Sequence, residues 1–343
     1  MGSSKKRSPG ISIRQVADKA GVSVTTVSHT ISGNRPVSPA TVDRVSTAMA
    51  ELGYEPSHAA QALKLGITQT IGVLVPDITN NFFAKLATGV EDVAYARGHN
   101  MILGNTGFEP ARELEYLKMV RRRAVDGLIY AAGSPVSGFT IEELSANFPV
   151  VLADEEISVP KAVLVTSDHR SGGSLVGRHL TELGHRSALV ITGPAGLRSS
   201  EDRLDGFREH FGGPTIVVTG DFQQRSGSAA VAGHPPDGTQ PYSAIFALND
   251  LMALGAIKGL RAMGFSIPTD VSVVGFDDIP TAELMHPSLT TVRQPAFMVG
   301  RLAAERLLDG LEGKQTTTDS RTVLPVELMR RESTAPPNSS LNI

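Results

Sequence analysis

From Thr70 onward the chain repeats one alternation: a short, wholly apolar run, then a longer segment whose apolar residues recur every three or four positions. The apolar runs are IGVLV (71–75), MILG (101–104), GLIY (127–130), VVLA (150–153) and AVLV (162–165), then ALVIT (188–192), TIVVT (215–219), AIFAL (244–248) and VSVVGF (271–276). Runs of four to six residues without polar alternation suit strands covered on both faces. Helical segments fall between most of them, for example 82–97, 111–123, 171–183 and 249–263. That order predicts a doubly wound α/β architecture, with enough strands for two lobes. A last helix at about 296–312 and a strand near 322–328 are expected to return to the first lobe.

Ligands of such sheets bind beyond the carboxyl ends of the strands, and between lobes where there are two. PDITNNFF follows 71–75, Asp154 follows 150–153, and the loop leading to Arg203 follows 188–192. Asp221 and Phe222 follow 215–219, Asn249 and Asp250 follow 244–248, Asp277 and Asp278 follow 271–276, and Gln294 follows the TTV crossing. Carboxylates, amides, one Arg and several Phe make a set suited to the hydroxyls and C–H faces of a small polyol. Some of these residues have a second reading. Asp77, Asn80 and Asp250 also suit capping of the helices that follow them, and Phe82 and Phe83 also suit the core.

The first 66 residues differ in character. They carry eight Lys or Arg against four acids, a balance of +4, which leaves −7 for the remainder of a chain whose net charge is −3. Three short helices are predicted there. Ser12 with Gln15 forms a capping box, Ile13, Val16, Ala17 and Ala20 make one buried stripe, and Gly21 ends the first helix. The second opens at Ser23 and runs to about Gly33. Ser38 caps the third, with Pro39 in its first turn and Val42, Val45, Met49 and Leu52 inward. Two helices joined by a tight glycine turn and braced by a third form a helix-turn-helix unit. Val27 and Ile31 face inward, leaving Val24, Thr25, Thr26, Ser28 and His29 outward. Ser, Thr and Val are poor helix formers, yet short side chains let a helix backbone approach base edges in a major groove. Hydroxyls reach bases and phosphates, Val meets a thymine methyl, and His donates to guanine. A basic unit of this kind predicts a DNA-binding head.

Several classes are excluded on composition. There is no Cys, hence no disulfide framework or thiolate site, and the nine His lack zinc-motif spacing. No apolar run approaches the roughly 18 residues of a membrane span, and MGSSKKRSPG lacks a signal-peptide core. A cytoplasmic protein without metal or cofactor is expected. An α/β enzyme acting on a sugar, with Asp277 or Asp278 as catalytic carboxylate, is a remote alternative: no nucleophile elbow, phosphate loop or dinucleotide fingerprint is present. Arg121, Arg122 and Arg123 are read as favourable charge at a helix C-terminus.

The stretch IRQVADKAGVSVTTVSHTISGNRPVSPATVDRVSTAMAELGYEPS resembles the DNA-binding head of the LacI/GalR family along its whole length. PDITNNFF, LGHR, RLDGF, NDLMALGAI, VVGFDDIP and LTTVRQP extend the resemblance to that family's core and to periplasmic sugar-binding proteins, with the pocket most like the ribose type. The resemblance implies a head over 11–55, a hinge helix over 56–67, a core N-terminal lobe over 68–166 plus 294–330, a C-terminal lobe over 167–293, and a polar tail over 331–343. It implies Val24, Thr25 and His29 as base readers, and Ser12, Ser23, Thr26, Ser28 and Asn34 as phosphate or positioning contacts. Leu63 would wedge into the central minor groove of a pseudo-palindromic operator, with Lys64 beside the backbone; Ser57 and Gln61 depart from the Asn and Arg usual there. Asn80, Phe82, Phe83, Asp154 and Gln294 from one lobe, and Arg203, Phe222, Asn249 and Asp277 from the other, would hold the effector. A pentose such as ribose leads, with a hexose, nucleoside or purine as alternatives, the purine acting as corepressor. Glu155 departs from the Arg usual after the Asp, exchanging a hydroxyl donor for an acceptor. Two hinge helices over one operator imply a homodimer; the tail has no leucine heptads to build a tetramer.

Overall fold

The computed structural model describes residues 11–32, 35–54, 67–122, 124–133, 141, 144–146, 148–157, 162–237, 241–314 and 321–338. Asn34, Leu63, Lys64 and the hinge helix around Ser57 and Gln61 lie outside the described residues. The chain forms two compact units, Met1–Gln69 and Thr70–Ile343.

The first unit holds α1 (Ile13–Ala20), α2 (Val24–Ser32) and α3 (Pro39–Leu52). The capping box of α1 is formed: the Ser12 N–H and hydroxyl both donate to Gln15 Oε1, at 2.7 and 3.0 Å. Gly21 and Gly53 end α1 and α3 in the left-handed region, at φ 64° and 62°, where a side chain would be strained. Val16, Ala17, Ala20, Val27, Val45 and Ala48 are the buried centre. The inner face of α3 therefore departs from expectation in one respect: Ala48 is buried beside Val45, whereas Val42 is half-buried and Met49 and Leu52 pack at the edge.

The second unit has two six-stranded sheets. The first contains β1 (Thr70–Val75), β2 (Asn100–Asn105), β3 (Gly127–Tyr130), β4 (Val150–Ala153), β5 (Val163–Ser167) and β11 (Arg321–Leu324), in the order β11-β5-β4-β3-β1-β2, parallel throughout. The second contains β6 (Ala188–Thr192), β7 (Thr215–Thr219), β8 (Ala244–Ala247), β9 (Ser272–Asp277), β10 (Thr290–Arg293) and β12 (Glu327–Met329). Its order is β12-β10-β9-β8-β6-β7, parallel except for the antiparallel pairing of β12 with β10. The crossovers are α4 (Asn81–Ala96), α5 (Pro110–Arg121), α6 (His169–Glu182), α7 (Arg198–His210), α8 (Gln224–Gly233), α9 (Asp250–Ala262), the short α10 (Pro280–Leu284) and α11 (Ala296–Leu311). No described helix is long and apolar enough to cross a membrane.

Two expectations for the C-terminal part need correction. The single strand near 322–328 is two strands in different sheets. Pro325, which has no N–H to offer a ladder, lies between β11 and β12, and the chain changes lobe there. The expected polar tail is also packed as far as it is described. Ser333 is fully buried; its hydroxyl donates to the Val273 carbonyl at 2.6 Å and accepts from the Thr290 N–H at 2.8 Å. His185 lies within 2.8 Å of Ser243 Oγ through Nδ1 and 3.0 Å of the Ala335 carbonyl through Nε2. Burial pushes the His185 imidazole down to about 4, so it is neutral and its Nε2–H donates to Ala335. Polar residues that complete hydrogen bonds at a sheet edge look, in sequence, like residues that face water.

Three helix pairs pack so closely that backbone meets glycine. A Cβ on Gly173 (α6) would stand 1.9 Å from the Arg203 carbonyl oxygen of α7, and one on Gly206 (α7) 1.9 Å from that of Arg170. Gly89 and Gly300 stand in the same relation across α4 and α11, as do Gly227 and Gly255 across α8 and α9.

Candidate functional site

Within the head, α2 is capped as its sequence requires. Ser23 Oγ accepts from the Thr26 N–H at 3.0 Å and lies 2.8 Å from Thr26 Oγ1. Val27 is fully buried, which turns Val24 and Thr25 outward as exposed residues; Thr26, Ser28 and His29 are half-buried. The His29 Nδ1 is enclosed without a hydrogen-bond partner. An enclosed N–H without an acceptor costs the full desolvation of a donor. The favoured tautomer carries its proton on Nε2, which then offers a donor. Ser12 is exposed, with its hydroxyl proton engaged by Gln15. Lys19 ties α1 to α3 through Glu51 at 2.6 Å. Arg14, Arg35 and Arg44, not singled out from the sequence, are exposed on the same small unit.

In the second unit the strand ends converge. Asn80 from the β1–α4 turn, Phe82 and Phe83 from the first turn of α4, Asp154 and Glu155 after β4, Arg203 on α7, Phe222 after β7, Asn249 after β8, Asp277 at the end of β9 and Gln294 after β10 line one cavity. All nine residues expected there are brought together. Its free volume is only about 30 Å³, far below the several hundred of a typical ligand pocket, so the lobes stand nearly shut. A second cavity of about 370 Å³ shares Asp154 and Ser199 with it and extends past His169, Arg170, Arg198 and Arg321.

The polar groups form a connected set. Asp277 Oδ1 accepts from Gln294 Nε2 at 2.7 Å, and its carboxylate also accepts from Asn80. Burial pushes its pKa up to about 7, against the pull of the Arg203 guanidinium. Arg203 donates from Nη1 to the Leu248 carbonyl at 2.6 Å and from Nε to His169 Nδ1 at 3.3 Å, and its guanidinium carbon lies 4.0 Å from the centre of the Phe276 ring. His169 Nδ1 thus accepts, so Nε2 carries the proton and faces Asp154 and Thr166. One oxygen each of Asp154 and Gln294, Oδ1 and Oε1, is enclosed without a hydrogen bond.

Both readings of the Asn and Asp residues apply, but at different positions. Asn80 and Asn249 cap α4 and α9 through Oδ1 and still line the cavity, while Nδ2 of Asn249 donates to the Phe222 carbonyl at 2.9 Å. Asp250 is no cap. Its buried carboxylate accepts from the Ile279 N–H and the Thr291 hydroxyl, bracing the turn that presents Asp277, and burial beside Asp277 raises its pKa well above the ordinary range. A Cβ on Gly275 would meet Asp250 Oδ1 at 2.1 Å, so only glycine leaves room for that brace. Asp154, Phe222, Asp277 and Asp278 all have positive φ, from 53° to 115°. Such backbone is costly for non-glycine residues and clusters where a fold must aim side chains.

Phe108, Ala132, Leu197 and Ser199 also line the cavity and were not anticipated. Phe108 and Ala132 follow β2 and β3, strand ends to which the same rule applies, so the signal for them was present; nothing in the sequence marks Ser199. The lobes touch across the cavity at several points. Phe108 and Phe222 rings lie 6.1 Å apart. Gln223 Nε2 donates to Asp77 Oδ2 at 3.0 Å; although burial alone would raise it, hydrogen bonds from Thr79 and Gln223 hold the Asp77 carboxyl below the usual range. Ser199 donates to Glu155 from both its N–H, at 3.1 Å, and its hydroxyl, at 2.6 Å.

Residues 12–57 match the bacterial regulatory proteins of the lacI family, and residues 178–334 match the periplasmic binding protein-like domain. The chain is 38% identical to the ribose operon repressor of Halalkalibacterium halodurans over 339 residues, covering 96% of this chain and 99% of that protein. It is 36% identical to the HTH-type transcriptional repressor PurR of Aliivibrio fischeri over 311 residues, covering 88% and 92%. Among solved structures, a LacI family transcriptional regulator from Enterococcus faecium with bound ribose superposes with a TM-score of 0.70 at 36% identity, covering 78% of this chain and all of that one. The lac repressor dimer bound to operator and the anti-inducer ONPF superposes at 0.81 with 28% identity, covering 95% and 99%.

Proposed function

The chain belongs to the lacI family of bacterial regulatory proteins, and we propose that it is a repressor whose hold on operator DNA is set by a small sugar bound in the cleft, a pentose such as ribose. The carrying observation is the convergence of Asp154, Arg203, Asn249, Asp277 and Gln294 on one narrow cavity with Phe82, Phe83 and Phe222. Carboxylate, amide and guanidinium groups match the hydroxyls of a polyol and aromatic rings match its C–H faces. Val24, Thr25 and His29 read bases, while Ser12, Ser23, Thr26, Ser28 and Asn34 position the head on phosphates. Leu63 and Lys64 act at the centre of a pseudo-palindromic site, which a homodimer matches by its two-fold axis. The cleft holds its ligand without converting it, and the protein works in the cytoplasm.

Because the cavity is nearly filled when shut, the lobes must part to admit a sugar and close on it. Closure alters how paired first lobes meet, and operator and effector affinities are then reciprocally coupled. The similarity to purine repressors supports a second reading, a nucleoside or purine acting as corepressor in the same cleft. Thermal unfolding of the purified protein with ribose, other pentoses, hexoses, nucleosides, purine bases and their phosphates decides between them. A ligand at 100 times its dissociation constant adds about 2.7 kcal/mol. A shift with a pentose, lost in Arg203→Ala and Asp277→Ala, supports the sugar; a shift confined to a purine or a phosphorylated compound removes it.

A further inference from the structure

We propose that Glu155 is a positioning residue of the effector site: from the first lobe it caps the N-terminus of α7, the second-lobe helix that carries Arg203, so that this helix is completed only when the cleft is shut. The inference rests on the reading of the cleft as the effector site.

The start of α7 lacks the residue it needs. Its N-cap position is Leu197, extended at φ −92° and ψ 121°, with no side-chain hydrogen bond to give. Helix N-termini leave their first N–H groups without partners, and Ser, Thr, Asp or Asn normally supplies an oxygen to them. Here Leu197 is buried and faces the cavity. Ser200, in the first turn, has its hydroxyl committed to the Gly193 N–H at 3.0 Å.

Glu155 supplies the missing oxygens. Oε1 accepts from the Ser199 N–H, Oε2 accepts from the Ser199 hydroxyl, and the carboxylate also accepts from the Arg198 N–H. A carboxylate at this end meets the positive pole of the helix as well. Its placement depends on the left-handed turn at Asp154, φ 66°, which redirects the chain as it leaves β4. That turn is held by the Thr166 hydroxyl, which donates to the Asp154 carbonyl at 2.6 Å. Arg203 stands one helical turn beyond Ser199, with its guanidinium between Leu248, His169 and Phe276. Glu155 lines the effector cavity too, so parting the lobes removes the cap and shutting them restores it.

The test uses the full-length protein and its Glu155→Ala, Glu155→Gln, Ser199→Ala and Glu155→Ala/Ser199→Ala variants. Amide exchange is followed at residues 198–201, with and without ribose, and ribose affinity is measured. Loss of a cap should speed exchange there about five- to tenfold in Glu155→Ala. Glu155→Gln, which keeps one acceptor oxygen, should stay within about twofold of the parent. Ribose should slow exchange at 198–201 in the parent and not in Glu155→Ala, which a merely structural cap would not produce. The two single losses of ribose affinity should overlap, with the double variant no weaker than about the worse single one. Unchanged exchange in Glu155→Ala, or losses that add in full, overturns the proposal. Should Glu155→Ala not fold, Glu155→Met, which keeps the side chain's bulk without its acceptor oxygens, takes its place with the same expected gain in exchange at 198–201. If ribose protects nothing in the parent and shifts nothing, the sugar reading falls, while ligand-free exchange still decides the cap.

Discussion

Substituting alanine for Gly173 offers a sharp check on how α7 and Arg203 are held. The added methyl would lie 1.9 Å from the Arg203 carbonyl oxygen and 2.9 Å from the Phe207 nitrogen. Ordinary contact at about 3.5 Å requires the helices to separate by roughly 1.5 Å, and both obstacles are backbone, which cannot rotate away. Overpacking of this kind costs about 1–3 kcal/mol, against a gain of about 1 kcal/mol from replacing a helical glycine. The net expectation is a loss of up to about 2 kcal/mol, or up to roughly 4–8 °C in unfolding temperature for a unit of this size. Gly310→Ala is the control. It lies in α11, has nothing within 4 Å of the added methyl and no positive φ, so it should be neutral or stabilising by up to about 1 kcal/mol. Scanning calorimetry of the two variants, followed by ribose titration, reads both effects. Gly173→Ala should also weaken ribose by more than its stability loss alone would, because the displaced atom belongs to Arg203. Equal behaviour of the two variants would refute the argument that backbone proximity sets the position of that arginine.

Glu155 and Asp277 are both pushed up to about 7, chiefly by burial. A carboxyl raised above its unfolded value favours the folded state most below its unfolded pKa, near 4, and that contribution is lost as pH rises through 7. The core should therefore unfold at a lower temperature at pH 8 than at pH 6, by about 1 kcal/mol per group, and Glu155→Gln should flatten the slope in a pH series of melts. In operator binding, His29→Ala should relax preference at one base pair of each half-site, whereas Arg44→Ala should weaken all sequences alike and reduce the salt slope; selection from randomised DNA with a salt titration separates the two. His185→Ala should unbind the C-terminal segment, lower the unfolding temperature by a few degrees, and expose residues 332–338 to limited proteolysis.

Most of the architecture was legible because a buried parallel strand leaves a plain mark. IGVLV, ALVIT and AIFAL can hardly be anything else, and the cavity falls at the carboxyl ends of such runs, where the geometry of parallel sheets puts it. The failures have physical causes. Arg321–Leu324 and Glu327–Met329 read as one strand because only Pro325 and Val326 separate them and both are half-exposed edge strands. Ser333 read as tail because buried polar residues with satisfied hydrogen bonds have the same letters as solvated ones. Ser199 and Glu155 gave no sign of meeting, since the bond joins residues 44 apart through two lobes. The glycines of α6 and α7, unfavourable in a helix by propensity alone, are the reason the helices touch.

The chain passes between the lobes three times: after β5, after β10, and at Pro325 between β11 and β12. The strands involved are neighbours, β5 beside β11 in one sheet and β10 beside β12 in the other, so the passages lie abreast like the leaves of a flexure. The covalent chain hardly stretches, so three such leaves oppose pulling the lobes apart more than a bend across them. Two plates joined in this way have one soft direction. A bend across them is a rotation about that line, and the displacement it produces grows with distance from the line. A few tenths of an ångström gained beside Asp277 become the largest movement at the edges of the lobes most remote from these strands.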